Sequence, residues 1–240
     1  MSEINTLSKS FERTLKDSNL HNVSISLAEV LTDSLMDEGV AKQIPIIGTV
    51  IGLGKTAVGI KESLFLKKII YFISELNDIS TEKRQEMINK IDTSGKFKTR
   101  VGEKLLYIID KCDDHEESQI VACLFSAFLS GRISYDEFLR ASHIISQVIF
   151  DDLRWFVEEG WKESDKWKYR YGLRDDCLTV EEAGNIASTG LVKIISPEVS
   201  VRDQDDHKMS DPYIVEGSKL CVEVSDIGKK ISEILKDYFG

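Results

Sequence analysis

Apolar residues recur along most of this chain with the spacing of helices. Leu27, Val30, Leu31 and Leu35 follow one another at intervals of three and four, which lays one apolar stripe along a helix, and Gly39 marks its end. Residues 5–18, ahead of that stripe, are polar and weakly periodic. In residues 64–76 the apolar positions fill more than half the circumference, which predicts a helix buried on two sides. Met87, Ile88 and Ile91 give the next inward face, with Ser80 as N-cap and Glu82 in the first turn. Two further helices are predicted from Val101, Leu105, Leu106, Ile108, Ile109 and Cys112, and from Ile120, Val121, Leu124, Phe125 and Phe128.

The clearest local signal follows Gly131. Ser134 is placed to cap the N–H of Glu137 while Glu137 reaches back to Ser134, and Ile133 and Phe138 flank the pair as a hydrophobic staple. The helix started there is expected to run through Ile144, Ile145, Val148, Ile149, Leu153 and Phe156 to about Gly160. After Gly160 the texture changes. Trp167, Tyr169 and Tyr171 alternate as in a strand. Thr179 and Glu182 form a second capping box ahead of a short helix to Gly190. Residues 191–195 and 220–224 read as strands around a long polar loop at 197–217, and Ile227, Ile231, Ile234, Leu235 and Tyr238 form one face of a last helix. The expected fold is mainly α, a helical bundle followed by a small α+β unit. The expected divisions are N-terminal helices at 1–43, a helical core domain at 44–160 and the α+β domain at 161–240.

Residues 44–60 are the most apolar and glycine-rich stretch, and they carry the candidate chemistry. Gly54, Lys55 and Thr56 end like a phosphate-binding loop, in which backbone N–H groups and the lysine cradle phosphates. The required earlier glycine is displaced, however: Thr49 stands in its place and Gly48 lies one residue too early. The preceding apolar run is also short for a buried strand and contains Pro45. Read instead as a helix, Gly48, Gly52, Thr56 and Gly59 recur on one side, where small residues let another helix or a membrane-bound neighbour approach closely. The apolar run before Lys55 is too short to span a bilayer, which takes ~20 residues. Close packing in a core or oligomer is the leading expectation for this segment, and peripheral membrane contact the second.

Other constellations have plainer readings. Residues 131–138 imitate the second half of a calcium loop, but Ser126, Phe128 and Ser130 stand where carboxylate ligands are needed. Asp110, Asp113, Asp114, His115, Glu116 and Glu117 suit the junction ahead of a helix N-terminus, where the dipole favours negative charge. His21, His115, His143 and His207 form no metal-ligand pair, and no catalytic set, metal site or cofactor is expected.

Composition narrows the choice of partners. With 240 residues and 42% hydrophobic content the chain supports a sizeable core, and three prolines leave helices uninterrupted. A formal charge of −10 opposes non-specific attraction to nucleic acid and to anionic lipid. Set against that charge, the aromatic-basic run at 167–171 is read as a sheet edge rather than a base-stacking platform. The spacing of Cys112, Cys123, Cys177 and Cys221 shows no redox or zinc motif, and the N-terminus has no signal-peptide pattern. A cytoplasmic protein is expected, with contact at the inner membrane as an extension of that expectation.

Two resemblances add to this reading. The run Ser188, Thr189, Gly190, Leu191, Val192, then a long loop, residues 220–224, and Ser225, Asp226, Ile227, Gly228, Lys229 resembles the latter half of bacterial winged-helix domains. It departs from them in an acidic loop, with Asp203, Asp205 and Asp206 where a DNA-binding wing is basic, so the resemblance implies a protein partner. Residues 45–153 are similar to uncharacterised bacterial helical proteins, some associated with phage-defence loci. With the glycine-spaced apolar segment and no catalytic constellation, the expectation is a non-enzymatic bacterial protein that works through self-association, a protein partner or membrane contact of residues 44–76. Nucleotide binding through Gly54, Lys55 and Thr56, and transcriptional regulation through the C-terminal module, are the alternatives.

Overall fold

A computed structural model describes residues 3–18, 20, 44–53, 60–160, 178–196, 200–203, 213–216 and 220–240. The stripe at Leu27–Leu35, the aromatic run at 167–171, His21 and His207 lie outside them. The chain is mainly helical and divides into two compact units, Met1–Ser146 and Gln147–Gly240. The first is a helical bundle and the second a small α+β unit.

The first unit contains α1 (Glu3–Leu15), α2 (Pro45–Leu53), α3 (Ile60–Ser74), α4 (Thr81–Thr93), α5 (Val101–Lys111), α6 (His115–Leu129) and α7 (Tyr135–Ile145). Its centre is the packing of α3 along α6, with α7 and α4 also against α6. Leu66, Ile69, Ile70, Phe72 and Ile73 of α3 are buried there, as are Ile120, Leu124, Phe125 and Phe128 of α6. Aromatic rings link the helices. Phe72 lies 5.9 Å from Phe11 of α1 and 5.8 Å from Phe125, which in turn lies 5.2 Å from Phe138 of α7. Tilted ring pairs at such separations add to simple burial.

The helix starts follow the sequence closely. Ser80 accepts from the Lys83 N–H, and Ser134 and Glu137 form the full capping box. Residues 5–18, polar and weakly periodic in sequence, include the helix α1, which packs against α2 and α5 and buries Phe11 and Leu15. One expectation about the first unit needs correcting. The helix begun at Ser134 stops at Ile145, and a new helix, α8 (Phe150–Trp155), starts behind an extended Ile149. The break lets Ile144 and Ile145 enter the core of the first unit, and Leu153 and Phe156 the core of the second.

In the second unit α8 continues as a π-helical turn (Phe156–Gly160). Beyond residues 161–177 come α9 (Val180–Ala183), α10 (Ile186–Thr189), β1 (Val192–Ile195), β2 (Ser200–Asp203), β3 (Tyr213–Glu216), β4 (Cys221–Val224) and α11 (Asp226–Phe239). The single helix expected up to Gly190 is two short ones, because Gly184 takes a positive φ of 53° between them. The loop expected at 197–217 contains the antiparallel pair β2 and β3, with Ser200 opposite Glu216. β4 pairs with β1, Ile195 opposite Cys221, and on its other side bridges to Thr179.

α11 is seated by one tight contact. Ser225 caps it by accepting from the Gly228 N–H and itself donates to the Gly190 carbonyl. A Cβ on Gly228 would collide with the Leu191 carbonyl oxygen, so glycine is what allows this helix start to lie on the entry to β1. Cys221 is disulfide-bonded and buried, whereas Cys112 and Cys123 are free thiols.

Candidate functional site

The apolar, glycine-rich segment begins as a helix. Pro45 occupies the first turn of α2, where its missing N–H leaves no partner wanting. The Ile46 N–H donates to the Thr14 hydroxyl of α1 at 3.1 Å, so a neighbouring helix supplies the cap. Thr49 donates back to the Pro45 carbonyl and shares a 2.7 Å hydrogen bond with Ser10. Ile46, Ile47 and Val50 are buried.

The glycines of this helix differ. Gly48 is half-buried, while Gly52 is exposed, and a Cβ added to it would meet nothing within 4 Å among the described residues. Gly54, Lys55, Thr56 and Gly59 lie outside the described residues. What precedes them is the helix α2, whereas a phosphate-binding loop is entered from a buried strand.

Where the chain resumes, α3 opens with Ile60 81% and Leu64 56% exposed, one turn apart on the same face. This corrects the expectation of a helix buried on both sides: its first turns present apolar side chains outward, and burial begins at Leu66. Beside them Lys61 and Glu62 are exposed, so the patch has no strong net charge.

α1 is joined to the bundle by polar groups. Glu12 and Asp92, with side chains 8% and 7% exposed, both face Arg100, which lies 2.6 Å from Glu12 and 3.5 Å from Asp92. Asp92 also accepts the Val101 N–H at 2.8 Å and so caps α5. Glu12 Oε1 and the Tyr135 hydroxyl are buried without a hydrogen-bond partner among the described residues. Burial, then the charge of Asp92, pushes the Glu12 carboxyl above its ordinary range, against Arg100 and Lys16. Burial and Asp92 likewise push the Tyr135 hydroxyl up. Arg84, itself buried, closes the end of α1: its guanidinium donates to the carbonyls of Leu15 at 2.8 Å and Asp17 at 2.7 Å, and to that of Ile79. Gly102 of α5 permits the close approach, since a Cβ there would stand 2.5 Å from Glu12 Cγ.

The acidic junction has a structural role. Asp114 accepts from the Glu117 N–H at 2.9 Å, and Glu117 accepts from the Asp113 N–H at 2.6 Å, a reciprocal cap on α6. Among the described residues no three His, Cys, Asp or Glu side chains converge as metal ligands. Burial pushes the thiols of Cys112 and Cys123 up to about 12, so both stay protonated at neutral pH, Cys112 donating to the Ile108 carbonyl and Cys123 to the Glu75 carboxylate. No described helix is long and apolar enough to cross a membrane.

Comparison with known proteins adds nothing to this geometry: no family model, no curated protein and no solved structure matches the chain. The residues that sequence reasoning missed are Glu12, Arg84, Asp92 and Arg100. Their partners lie as far as 88 positions away, and no local spacing announces such pairings.

Proposed function

We propose that the chain is a non-enzymatic interaction protein whose helical unit associates, in the first instance with a second copy of itself, through the outward face at residues 44–76. The observation that carries this reading is the exposure of Ile60 and Leu64 at the head of a helix whose later turns are buried. Two large exposed side chains one turn apart favour removal from water by another apolar surface. Self-association is favoured over an anionic membrane because a chain of charge −10 is repelled by one, and Lys61 is offset by Glu62. Sedimentation velocity over a concentration series, with and without phosphatidylglycerol vesicles, tests it. Self-association is expected, and is lost in the double variant Ile60→Ser/Leu64→Ser. A wild-type protein that stays monomeric and ignores vesicles rules the reading out; vesicle binding without self-association transfers the surface to lipid.

The second unit supports a second reading, that of a winged-helix-like module for a protein partner. What favours it is the order short helices, strand, hairpin, strand, helix, with β4 between β1 and Thr179. The acid-rich sequence at 203–206 favours a protein over DNA, and tight duplex binding by fluorescence anisotropy at low salt would restore the transcriptional alternative. A setting in phage defence rests on the resemblance of residues 45–153 alone, and plaque counts with and without the gene test it. Nucleotide binding through Gly54, Lys55 and Thr56 is left without support, since α2 precedes it.

A further inference from the structure

We propose that the cleft between α5, α6 and α7 binds a small organic anion, a carboxylate or phosphomonoester whose apolar body is about one ring in size. The cleft has a volume of about 120 Å³ and lies within the first unit. Its apolar lining comes from Ile108, Val121 and Leu139, together with the Cys112 thiol. Lys104 and Lys111 of α5 and His143 of α7 also line it. Two turns separate the lysines, so they share a face of α5, with the exposed ring of Tyr107 between them.

The charge pattern selects the ligand. In a chain with 41 acidic and 31 basic residues, Lys104 and Lys111 have no ion pair or hydrogen bond among the described residues. The carboxylate in the lining, Glu117, is already engaged by the Asp113 N–H, and burial raises its carboxyl so that it holds its charge less readily. The cleft is thus positive at its edge, with an apolar wall of Ile108, Val121 and Leu139 beside the hydroxyls of Ser142 and Ser146. A cation is repelled by the lysines, and a bare inorganic anion leaves Ile108, Val121 and Leu139 wet. A ligand joining an acid group to a hydrocarbon body satisfies both surfaces.

Size sets the upper limit. A closed apolar cavity of roughly 150 Å³ accepts one benzene ring, so this open cleft suits a ring or a short branched chain and excludes a nucleotide. Cys112 takes no covalent part, because its thiol, pushed up to about 12, remains protonated at neutral pH.

The test titrates phenyl phosphate, benzoate, inorganic phosphate and uncharged benzyl alcohol separately into the ¹⁵N-labelled full chain, following amide shifts. Phenyl phosphate or benzoate is expected to shift amides clustered on α5, α6 and α7, at least tenfold more tightly than inorganic phosphate or benzyl alcohol. Which of the two binds better assigns the acid group. The double variant Lys104→Gln/Lys111→Gln, whose thermal melt should match wild type, is expected to weaken the preferred probe at least tenfold. Ser146→Phe, which narrows the cleft without touching a lysine, should do the same. Equal binding of inorganic phosphate and phenyl phosphate would reduce the cleft to surface charge and overturn the proposal. Equal binding of benzyl alcohol, shifts scattered over the surface, or no response to any probe at millimolar concentration would overturn it too.

Discussion

Two helices of the same bundle, α1 and α3, are held by different forces. α3 is attached through Leu66, Ile69, Ile70, Phe72 and Ile73, side chains that need only be kept from water and tolerate small shifts. α1 buries Phe11 and Leu15, but its remaining buried positions are Ser8, Ser10, Glu12 and Thr14. Each of the last three has a named partner: Thr49 for Ser10, Arg100 for Glu12, and the Ile46 N–H for Thr14. Burying polar groups gives little net stability when the hydrogen bonds form and costs heavily when they do not. α3 is therefore adhesive, whereas α1 is keyed: it fits in one position and depends on the charge of its groups.

The largest expected effect lies on the adhesive side. Phe125→Ala opens a cavity among Phe72, Phe128 and Phe138 and is expected to cost about 3–5 kcal/mol. Urea denaturation should show the bundle's transition shifted as one. Next comes Arg84→Met, which removes the charged donors to the Leu15, Asp17 and Ile79 carbonyls at a cost of about 3 kcal/mol. Here an early phase is expected, read as protease cleavage within residues 3–18 before the main transition. Lys at position 84 should not rescue, because one ammonium cannot reproduce the divergent guanidinium fork. If both variants merely shift a single transition, the two helices are held alike.

A smaller effect sharpens the contrast through pH. The Glu12 carboxyl is raised in the folded protein, by burial first and by Asp92 second. Such a group contributes stability fully present below its unfolded pKa of about 4.3 and lost as pH rises through the folded value. The attachment of α1 is thus expected to be weaker at neutral than at acid pH. Glu12→Gln, neutral throughout, should melt higher than wild type at pH 7 and converge with it toward pH 4, as followed by calorimetry. A variant melting lower at pH 7 would mean that the Arg100 pair outweighs burial.

The sequence made the adhesive elements legible and the keyed ones not. Periodicity marked α3 to α7 because apolar burial repeats with the helix turn, and the boxes at Ser134 and Thr179 were readable because both partners lie three residues apart. The burial of α1 was not legible, because four of its six buried positions, Ser8, Ser10, Glu12 and Thr14, are polar. The partners of Ser10, Glu12 and Arg84 lie 39, 88 and 69 residues distant, respectively. The break after Ile145 was also hidden, since Val148 and Ile149 keep the helical spacing while the chain passes from one unit's core to the other's. In the candidate segment, sequence placed a helix at Pro45 and drew attention to its glycines. It could not tell that burial in α3 starts only at Leu66.

The most direct test of the keyed attachment is amide hydrogen exchange of the full chain, read on α1, α3 and α6 and corrected for intrinsic rates. α1 should exchange through local openings well below the energy of global unfolding, more readily at pH 7 than at pH 5. Glu12→Gln should slow α1 at pH 7 and leave α3 and α6 unchanged. Exchange of α1 only together with α3 and α6, at the global rate and indifferent to Glu12→Gln, would contradict it.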